Sequence, residues 1–194
     1  MGQNEPFSGT QKDTFDARLE RHWPVLRDLL SRVYRDRPDL PRHLDEIRAL
    51  CRRSWDSRAE ELKALDATRM AESVWHLSES ILGATLYVDL FAGDFNGVRA
   101  RIPYLKSLGV NYLHLMPLFK SPEGNSDGGY AVSSYRECAP ALGTLDDLGA
   151  LIAELRAEGI VVAVDFVFNH TSDAHTWAQA AVEGDARFLR FYYT

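Results

Sequence analysis

Polar side chains suited to chemistry are concentrated in three segments of the second part of the chain, and each segment accompanies an apolar run. Asp94 follows the first run, Asp127 and Tyr130 lie in a long loop after the second, and Asp165 and His170 mark the third. In parallel α/β folds, functional side chains gather at the carboxyl ends of strands and on the loops that follow them. The spacing therefore predicts that these residues meet at one edge of a parallel sheet.

Asp165 stands inside the otherwise apolar run 160–168. Strand periodicity puts Asp165, Val167 and Asn169 on one face. A carboxylate in so apolar a strand is costly unless it is paired, so we expect a cation or several donors beside it. A role in a site and a role as a satisfied buried Asp that supports the sheet both stay open. His170 falls at the tip of the strand, where it could donate a hydrogen bond or act as an acid or base, although a lone His is more often structural.

The segment Ser126–Tyr130 pairs a carboxylate with an aromatic ring across two glycines. The glycines permit positive φ and a close approach of the backbone, so the turn can aim Asp127 and Tyr130 at one point. An Asp that binds hydroxyls beside a Tyr that offers an apolar platform is typical of sugar binding. An ordinary Asp-Gly turn with a packed tyrosine is the alternative.

The elements that must position these residues alternate between strand and helix. The predicted strands span residues 86–90, 110–115 and 160–168, and the predicted helices span 98–107 and 144–158. Thr144 is a candidate N-cap with Asp147 completing a capping box, and residues 117–140 form a long loop. This β-α-β-α-β order predicts an α/β fold with a parallel sheet, either doubly wound or closed into a barrel. The glycines after the first strand lack the spacing of nucleotide-binding motifs.

Residues 1–80 follow a different pattern from residues 81–194. The first part holds 14 of the 22 basic residues but only two of the 13 glycines. Apolar residues recur there at helical spacing over residues 15–33, 43–50 and 55–80, with charged residues on the opposite faces. We therefore predict a helical N-terminal domain over 1–80, followed by an α/β domain over 81–194.

Composition excludes several classes of function. The net charge of −6 argues against general binding of nucleic acid or anionic membranes. Cys51 and Cys138 lack the spacing of a disulfide framework or a zinc site. The first residues do not resemble a secretory leader, and no apolar run approaches the roughly 20 residues of a membrane span. A soluble, cytoplasmic chain with a small-molecule partner is expected.

Two runs of the sequence resemble the α-amylase family, glycoside hydrolase family 13. Residues 165–172, Asp-Phe-Val-Phe-Asn-His-Thr-Ser, resemble its first signature region, which lies on the third strand of a (β/α)8 TIM barrel. Residues 116–136 resemble the amylosucrases within that family, which also carry a helical segment ahead of the barrel. The resemblance implies that residues 81–194 are the first three βα units of such a barrel.

The resemblance also implies an activity and roles for single residues. Amylosucrases are transglucosidases that cleave sucrose through a covalent glucosyl enzyme, release fructose and extend an α-1,4-glucan. Asp127, Tyr130 and His170 match positions that bind the glucosyl ring by hydroxyl contacts, stacking and a hydrogen bond. Asp165 matches a position that supports the site. Asn169 matches a calcium ligand of many α-amylases, but amylosucrases do not depend on that ion, so no metal and no cofactor are expected.

The expected barrel is truncated, and its catalytic residues are missing. Retaining glycosidases need two carboxyl groups about 5–5.5 Å apart, and in this family the nucleophile and the acid/base follow later strands than the third. Both are expected beyond Thr194, so the chain alone should be inactive. An α-glucosidase or trehalose-forming isomerase acting on maltooligosaccharides, and a non-catalytic module in which the helices mediate assembly, remain as alternatives.

Overall fold

The computed structural model describes residues 15–72 and 74–192. The chain divides into two compact units, with the boundary between His76 and Leu77. The residues described in the first unit are helical, whereas the second unit combines helices with two small sheets. The α/β class predicted from the sequence is thus confirmed.

The described residues of the first unit form α1 (Phe15–Val33), α2 (Leu40–Asp56) and α3 (Glu60–Ala71), and a 3-10 turn (Trp75–Leu77) spans the boundary with the second unit. The three predicted helical runs are present with different bounds. The second helix starts earlier than expected because Pro41 lies in its first turn, where a missing N–H costs nothing. It also continues to Asp56, and so takes in Trp55, which the pattern had assigned to the third run.

The second unit is built on a parallel three-stranded sheet in the order β1-β2-β5. These strands are β1 (Gly83–Leu86), β2 (Tyr112–Leu115) and β5 (Val161–Val164). The helices of this unit are α4 (Val88–Ala92), α5 (Phe95–Ala100), α6 (Ile102–Ser107), α7 (Leu145–Ala157) and α8 (Thr176–Val182). The predicted β-α-β-α-β order is therefore present, with additional short helices.

The core of the second unit lies between the sheet and the helices. Leu113 and Leu115 of β2 are fully buried, as are Leu151 and Leu155 of α7 and Phe95 of α5. Because side chains alternate along a strand, burial of Leu113 and Leu115 turns Tyr112 and His114 to the opposite face. The packing of one face thus determines which residues of β2 the other face presents.

The N-terminus of α7 confirms one detailed prediction. The Thr144 hydroxyl accepts the backbone N–H of Asp147 at 3.1 Å, and the Asp147 carboxylate accepts the backbone N–H of Thr144 at 2.8 Å. This reciprocal capping box satisfies two N–H groups that the helix itself cannot bond.

The first predicted strand and the first predicted helix of this unit were both wrong in part. The expected strand over 86–90 is a strand only up to Leu86, and Val88–Ala92 forms α4 with Leu90 81% exposed. Gly93 ends that helix at φ 84°, a conformation that glycine adopts without strain. The expected helix over 98–107 is two helices that meet at Arg101, because Pro103 in the first turn of α6 cannot donate a hydrogen bond back into α5.

The third predicted strand is shorter, and the predicted loop more ordered, than expected. The strand predicted over 160–168 ends at Val164, so Asp165 lies immediately after β5 rather than within it. The loop over 117–140 contains an antiparallel pair, β3 (Phe119–Lys120) and β4 (Ser134–Cys138), and a 3-10 turn at Asp127–Gly129. Phe166, in the segment that follows β5, contacts the rings of Phe119 in β3 and Tyr135 in β4, and so packs this pair against that segment.

Candidate functional site

The turn that carries Asp127 and Tyr130 is left-handed over three consecutive residues. Asp127, Gly128 and Gly129 have φ angles of 49°, 65° and 93°. The backbone N–H of Tyr130 donates to the Asp127 carbonyl at 3.1 Å, which closes the turn. A side chain at position 129 would also meet Pro117, since a Cβ there would lie 2.9 Å from the proline Cβ. The expectation that the glycines supply positive φ is confirmed.

Tyr130 reaches across from this turn to the end of β5. Its hydroxyl donates to Asp165 Oδ2 at 2.9 Å. The other carboxylate oxygen, Oδ1, lies 2.9 Å from His114 Nε2 on β2. Three elements that are distant in sequence, a strand, a strand end and a loop turn, therefore converge on one carboxylate. We call these residues, His114, Asp165 and Tyr130, the carboxylate triplet.

The carboxylate triplet is partly shielded from solvent. The side chains of His114 and Asp165 retain 33% and 22% of their exposure. The hydrogen bond to Asp165 raises the pKa of the Tyr130 hydroxyl above its ordinary value, and burial and the charge of Asp165 act in the same direction. At neutral pH Tyr130 is therefore held as the neutral donor to Asp165.

The surroundings predicted for Asp165 from its apolar neighbours are present. Two groups bond it, the Tyr130 hydroxyl and the His114 ring, as expected for a carboxylate in an apolar setting. His114 itself was missed by sequence reasoning. The available signal was its place in an apolar strand: β2 and β5 pair in parallel with His114 opposite Ala163, and strand alternation places Asp165 on the same side as Ala163.

Asn169 and His170 lie in a separate group from the triplet. Asn169 Nδ2 is 3.3 Å from His170 Nδ1, and both residues are exposed. Their backbone is fixed by Tyr135, whose hydroxyl donates to the carbonyl of Val167 at 2.6 Å and to that of His170 at 3.3 Å. Tyr135 was likewise not singled out in the sequence. Burial raises the pKa of its hydroxyl, so it stays a donor.

A cleft of about 1120 Å³ lies beside this second group. It is bordered by Asn169 and His170 and by side chains from the loop between β3 and β4. Its wall is aromatic: the Tyr135 and Phe166 rings stack with centroids 5.2 Å apart, and Trp177 approaches Phe191 at 5.0 Å. Aromatic walls with a few polar groups are typical of small-molecule sites. Asp127, Tyr130 and Asp165 do not border this cleft.

The predicted site residues thus fall into three places. Tyr130 and Asp165 are hydrogen-bonded to each other, whereas Asn169 and His170 border the cleft. Asp127 is exposed at the left-handed turn. Carboxylate, imidazole, amide and phenol groups of this kind bind hydroxyl-rich ligands well, because they supply both donors and acceptors.

The described part of the chain shows neither a metal-binding cluster nor a helix that could span a membrane. Within residues 15–72 and 74–192, no three His, Cys, Asp or Glu side chains come together in a way that could hold a metal ion. None of the helices described there combines the length and apolar character needed to cross a membrane.

The family model that matches this chain is the catalytic domain of α-amylase, over residues 40–194. The chain belongs to the α-amylase family. The match covers all of the second unit and every candidate site residue. It begins inside the predicted helical domain.

Relatives of known activity support the same assignment. The chain is 46% identical over 101 residues to a trehalose synthase of Pimelobacter and 39% identical over 100 residues to the trehalose-6-phosphate hydrolase of Escherichia coli. The structure of the trehalulose synthase from Pseudomonas mesoacidophila matches 59% of the chain at 32% identity, with a TM-score of 0.53. A mutant of that enzyme was solved with the substrate sucrose.

The region shared with these relatives is a limited part of each. Each of the two curated alignments covers 52% of this chain, but only 17% of the trehalose synthase and 18% of the hydrolase. The structural match covers 22% of the trehalulose synthase. The family is established, while amylosucrase is not singled out among its members.

Proposed function

We propose that this chain binds the glucosyl ring of an α-glucoside, within a retaining glucosidase or transglucosidase. The observation that carries the proposal is the carboxylate triplet, because its hydrogen bonds fix the neutral side chain of Tyr130. The left-handed turn next to Tyr130 carries the exposed carboxylate of Asp127. A fixed aromatic ring lets a sugar bind by its apolar face without first ordering a flexible side chain. In this proposal Tyr130 stacks on the ring and Asp127 binds its hydroxyls.

His170 supplies a third contact in the same proposal. Its imidazole is exposed at the edge of the cleft, and its backbone carbonyl is tied to the Tyr135 hydroxyl. The imidazole can donate one hydrogen bond to a sugar hydroxyl from the nitrogen that does not face Asn169. Asn169 is proposed to orient His170, and no metal is required for either role.

The reaction itself needs two carboxyl groups about 5–5.5 Å apart on either side of the scissile bond. Asp165 is a poor candidate for either, since Tyr130 and His114 engage both of its oxygens. As the resemblance to the α-amylase family implies, we assign the nucleophile and the general acid to residues outside this chain. Residues 81–194 would then be the first three βα units of a (β/α)8 barrel, preceded by a helical domain over residues 1–80.

The first candidate activity is that of an amylosucrase, which transfers glucose from sucrose to an α-1,4-glucan. Its support is the run 116–136, which resembles amylosucrases, and a structural relative with sucrose as its substrate. The second candidate is a trehalose-forming or maltose-acting enzyme. Its support is the 46% identity to a trehalose synthase.

Two measurements test the proposal at separate levels. The chain should bind methyl α-D-glucopyranoside weakly in an NMR titration, and Tyr130→Ala should raise the dissociation constant by about tenfold or more through loss of the stacking surface. Tyr104→Ala is the matched control, because Tyr104 is an exposed tyrosine on α6. Equal affinities of wild type and Tyr130→Ala would contradict the assigned binding site.

Activity is the second level. The chain alone should release no fructose from sucrose above a protein-free blank, and release would contradict the assignment of the catalytic carboxylates elsewhere. The full-length product of the gene that encodes this chain should then be given sucrose, trehalose and maltose in parallel. Fructose release with glucan growth supports the first candidate, and interconversion of maltose and trehalose supports the second.

A further inference from the structure

His114 lies at the candidate site without a role in the proposed binding of sugar. Its neighbours in β2, Leu113 and Leu115, are fully buried in the core, so His114 projects from the other face of the sheet. A polar residue in the centre of a short apolar strand costs stability unless it has a partner. The partner is Asp165, at 2.9 Å.

The contact between His114 and Asp165 is not needed to hold the two strands together. Backbone pairing already joins β2 and β5 over four residue pairs, from Tyr112 with Val161 to Leu115 with Val164. The backbone N–H of Asp165 also donates to the Leu115 carbonyl at 3.3 Å. The histidine side chain therefore adds something other than strand pairing.

What it adds is a fixed orientation of the carboxylate. With Oδ1 held by His114, the plane of the Asp165 carboxylate cannot turn freely, and Oδ2 is fixed in the position where the Tyr130 hydroxyl donates to it. An ionised carboxylate only accepts, so this arrangement is complete when His114 carries its proton on Nε2. His114 thus fixes the position of the Tyr130 hydroxyl through the carboxylate of Asp165.

The turn itself places little against the ring of Tyr130. The neighbouring residues on its turn are glycines, and even a Cβ added at Gly128 would lie 3.9 Å from the ring, at Cδ2. The turn fixes the backbone of Tyr130, but the hydroxyl bond to Asp165 is the described contact that fixes the direction of the ring.

We propose that His114 is a positioning residue for the sugar platform: acting through Asp165, it fixes the ring of Tyr130 in the orientation that a glucosyl ring stacks upon. This inference rests on the proposed function of Tyr130. The orientation of the Tyr130 ring then depends on three elements: β2, the end of β5 and the Asp127–Gly129 turn. A substitution in the sheet can therefore change the affinity for the sugar although the substituted residue does not contact the sugar.

The test compares His114→Phe with His114→Gln in the 194-residue chain. Phenylalanine keeps a planar ring but donates nothing, whereas glutamine offers an N–H close to the position of Nε2. Binding of methyl α-D-glucopyranoside is measured by NMR titration, and the Tyr130 ring is followed by its ¹³Cζ signal in chain labelled at tyrosine. We expect His114→Phe to raise the dissociation constant about three- to tenfold and to shift the Tyr130 signal, and His114→Gln to restore most of both.

A double variant separates positioning from general loss of structure. Because His114 and the Tyr130 hydroxyl act on the same carboxylate, His114→Phe with Tyr130→Phe should bind no more weakly than the weaker single variant. Additive losses would overturn the proposal, as would an unchanged Tyr130 signal in His114→Phe. If the wild-type chain does not bind the sugar at all, the proposed function fails. In that case the Tyr130 signal still shows whether His114 fixes the orientation of the Tyr130 ring, but the proposed role of that ring in sugar binding is rejected.

Discussion

The two units of this chain bury their apolar side chains to very different extents. In the residues described up to His76, Leu44 is the single buried apolar side chain, whereas the second unit buries Phe95, Leu113, Leu151 and many others. The helices of the first unit instead carry ion pairs on their surfaces, such as Arg42 with Glu46 at 2.7 Å. Exposed pairs of this kind contribute little to stability.

The comparison shows which unit can hold a site rigidly. The carboxylate triplet belongs to the second unit, where strand positions are fixed by a closely packed core on the opposite face. Side-chain positions accurate to a few tenths of an ångström need such support, because every neighbour must itself be fixed. The described residues of the first unit, with one buried apolar side chain among them, offer no comparable support.

The four tryptophans allow the two units to be measured separately. Trp23, Trp55 and Trp75 lie in the first unit and Trp177 in the second. Chain labelled with 5-fluorotryptophan therefore reports the unfolding of each unit by ¹⁹F NMR in the same sample. The predictions that follow use this readout in a urea titration.

The largest expected effect is that of Phe95→Ala. Phe95 is fully buried in the core of the second unit, and removal of a buried phenylalanine side chain leaves a cavity that costs about 3–5 kcal/mol. The Trp177 transition should move to much lower urea while the three other tryptophan signals keep their midpoints. A shift of all four signals together would show that the units unfold as one and would break the comparison.

Leu44→Ala should have a smaller effect, confined to the first unit. Leu44 retains 9% exposure and has no other buried apolar neighbour in the described part of that unit. Its loss should cost about 2 kcal/mol, at the low end for a leucine-to-alanine change, because the site can collapse. The midpoints of Trp23 and Trp55 report it. A cost as large as that of Phe95→Ala would mean that the first unit has a core after all.

Thr144→Ala removes the hydroxyl half of the capping box of α7 and should cost about 1 kcal/mol. The Trp177 transition again reports the change. Thr144→Ser is the matched control, since serine keeps the hydroxyl that accepts the N–H of Asp147. If serine and alanine destabilise equally, the hydroxyl at position 144 contributes nothing to the stability of this unit.

Acid should remove the same cap. The hydrogen bonds from Thr144 lower the pKa of Asp147 below its ordinary value of 3.8. A carboxylate whose pKa is lowered by folding adds stability above its unfolded pKa, and that stability is lost as the pH falls through the folded pKa. The urea midpoint reported by Trp177 should therefore decrease as the pH is lowered below about 4. Asp147→Asn should weaken this pH dependence.

The smallest effect is expected for Arg42→Ala. Its side chain is 64% exposed and pairs with Glu46 one turn further along α2. The change should move the midpoints of the first unit by less than about 0.5 kcal/mol. A loss of 1 kcal/mol or more would show that surface ion pairs, rather than apolar contacts, stabilise this unit.

The sequence predicted local features of the second unit better than the contacts between them. The Thr144 capping box and the positive φ of Gly128 and Gly129 follow from short-range backbone chemistry, so nearby residue types were sufficient. The contact of His114 with Asp165 spans 51 positions. It depends on the register of two strands, which no short segment of sequence specifies.

The errors in the fold have equally physical causes. The apolar runs 86–90 and 160–168 extend beyond the ends of β1 and β5, so the predicted strands were too long. Their last residues, Leu90 and Phe168, are 81% and 88% exposed despite their residue types. The short pair β3 and β4 was missed because glycine and proline in that loop suggested irregular structure. Its long-range aromatic contacts, such as Tyr135 with Phe166, give it support that composition does not reveal.

At Asp127, the residue type that would make the turn most stable differs from the residue type proposed to bind the sugar. A residue with a side chain at φ 49° costs about 1 kcal/mol that glycine does not. Selection for a more stable turn would therefore replace Asp127 with glycine and, in doing so, would discard the carboxylate proposed to bind the sugar. A stabilised form of this protein should thus be sought at other positions, because at this one the gain in folding would be a loss in recognition.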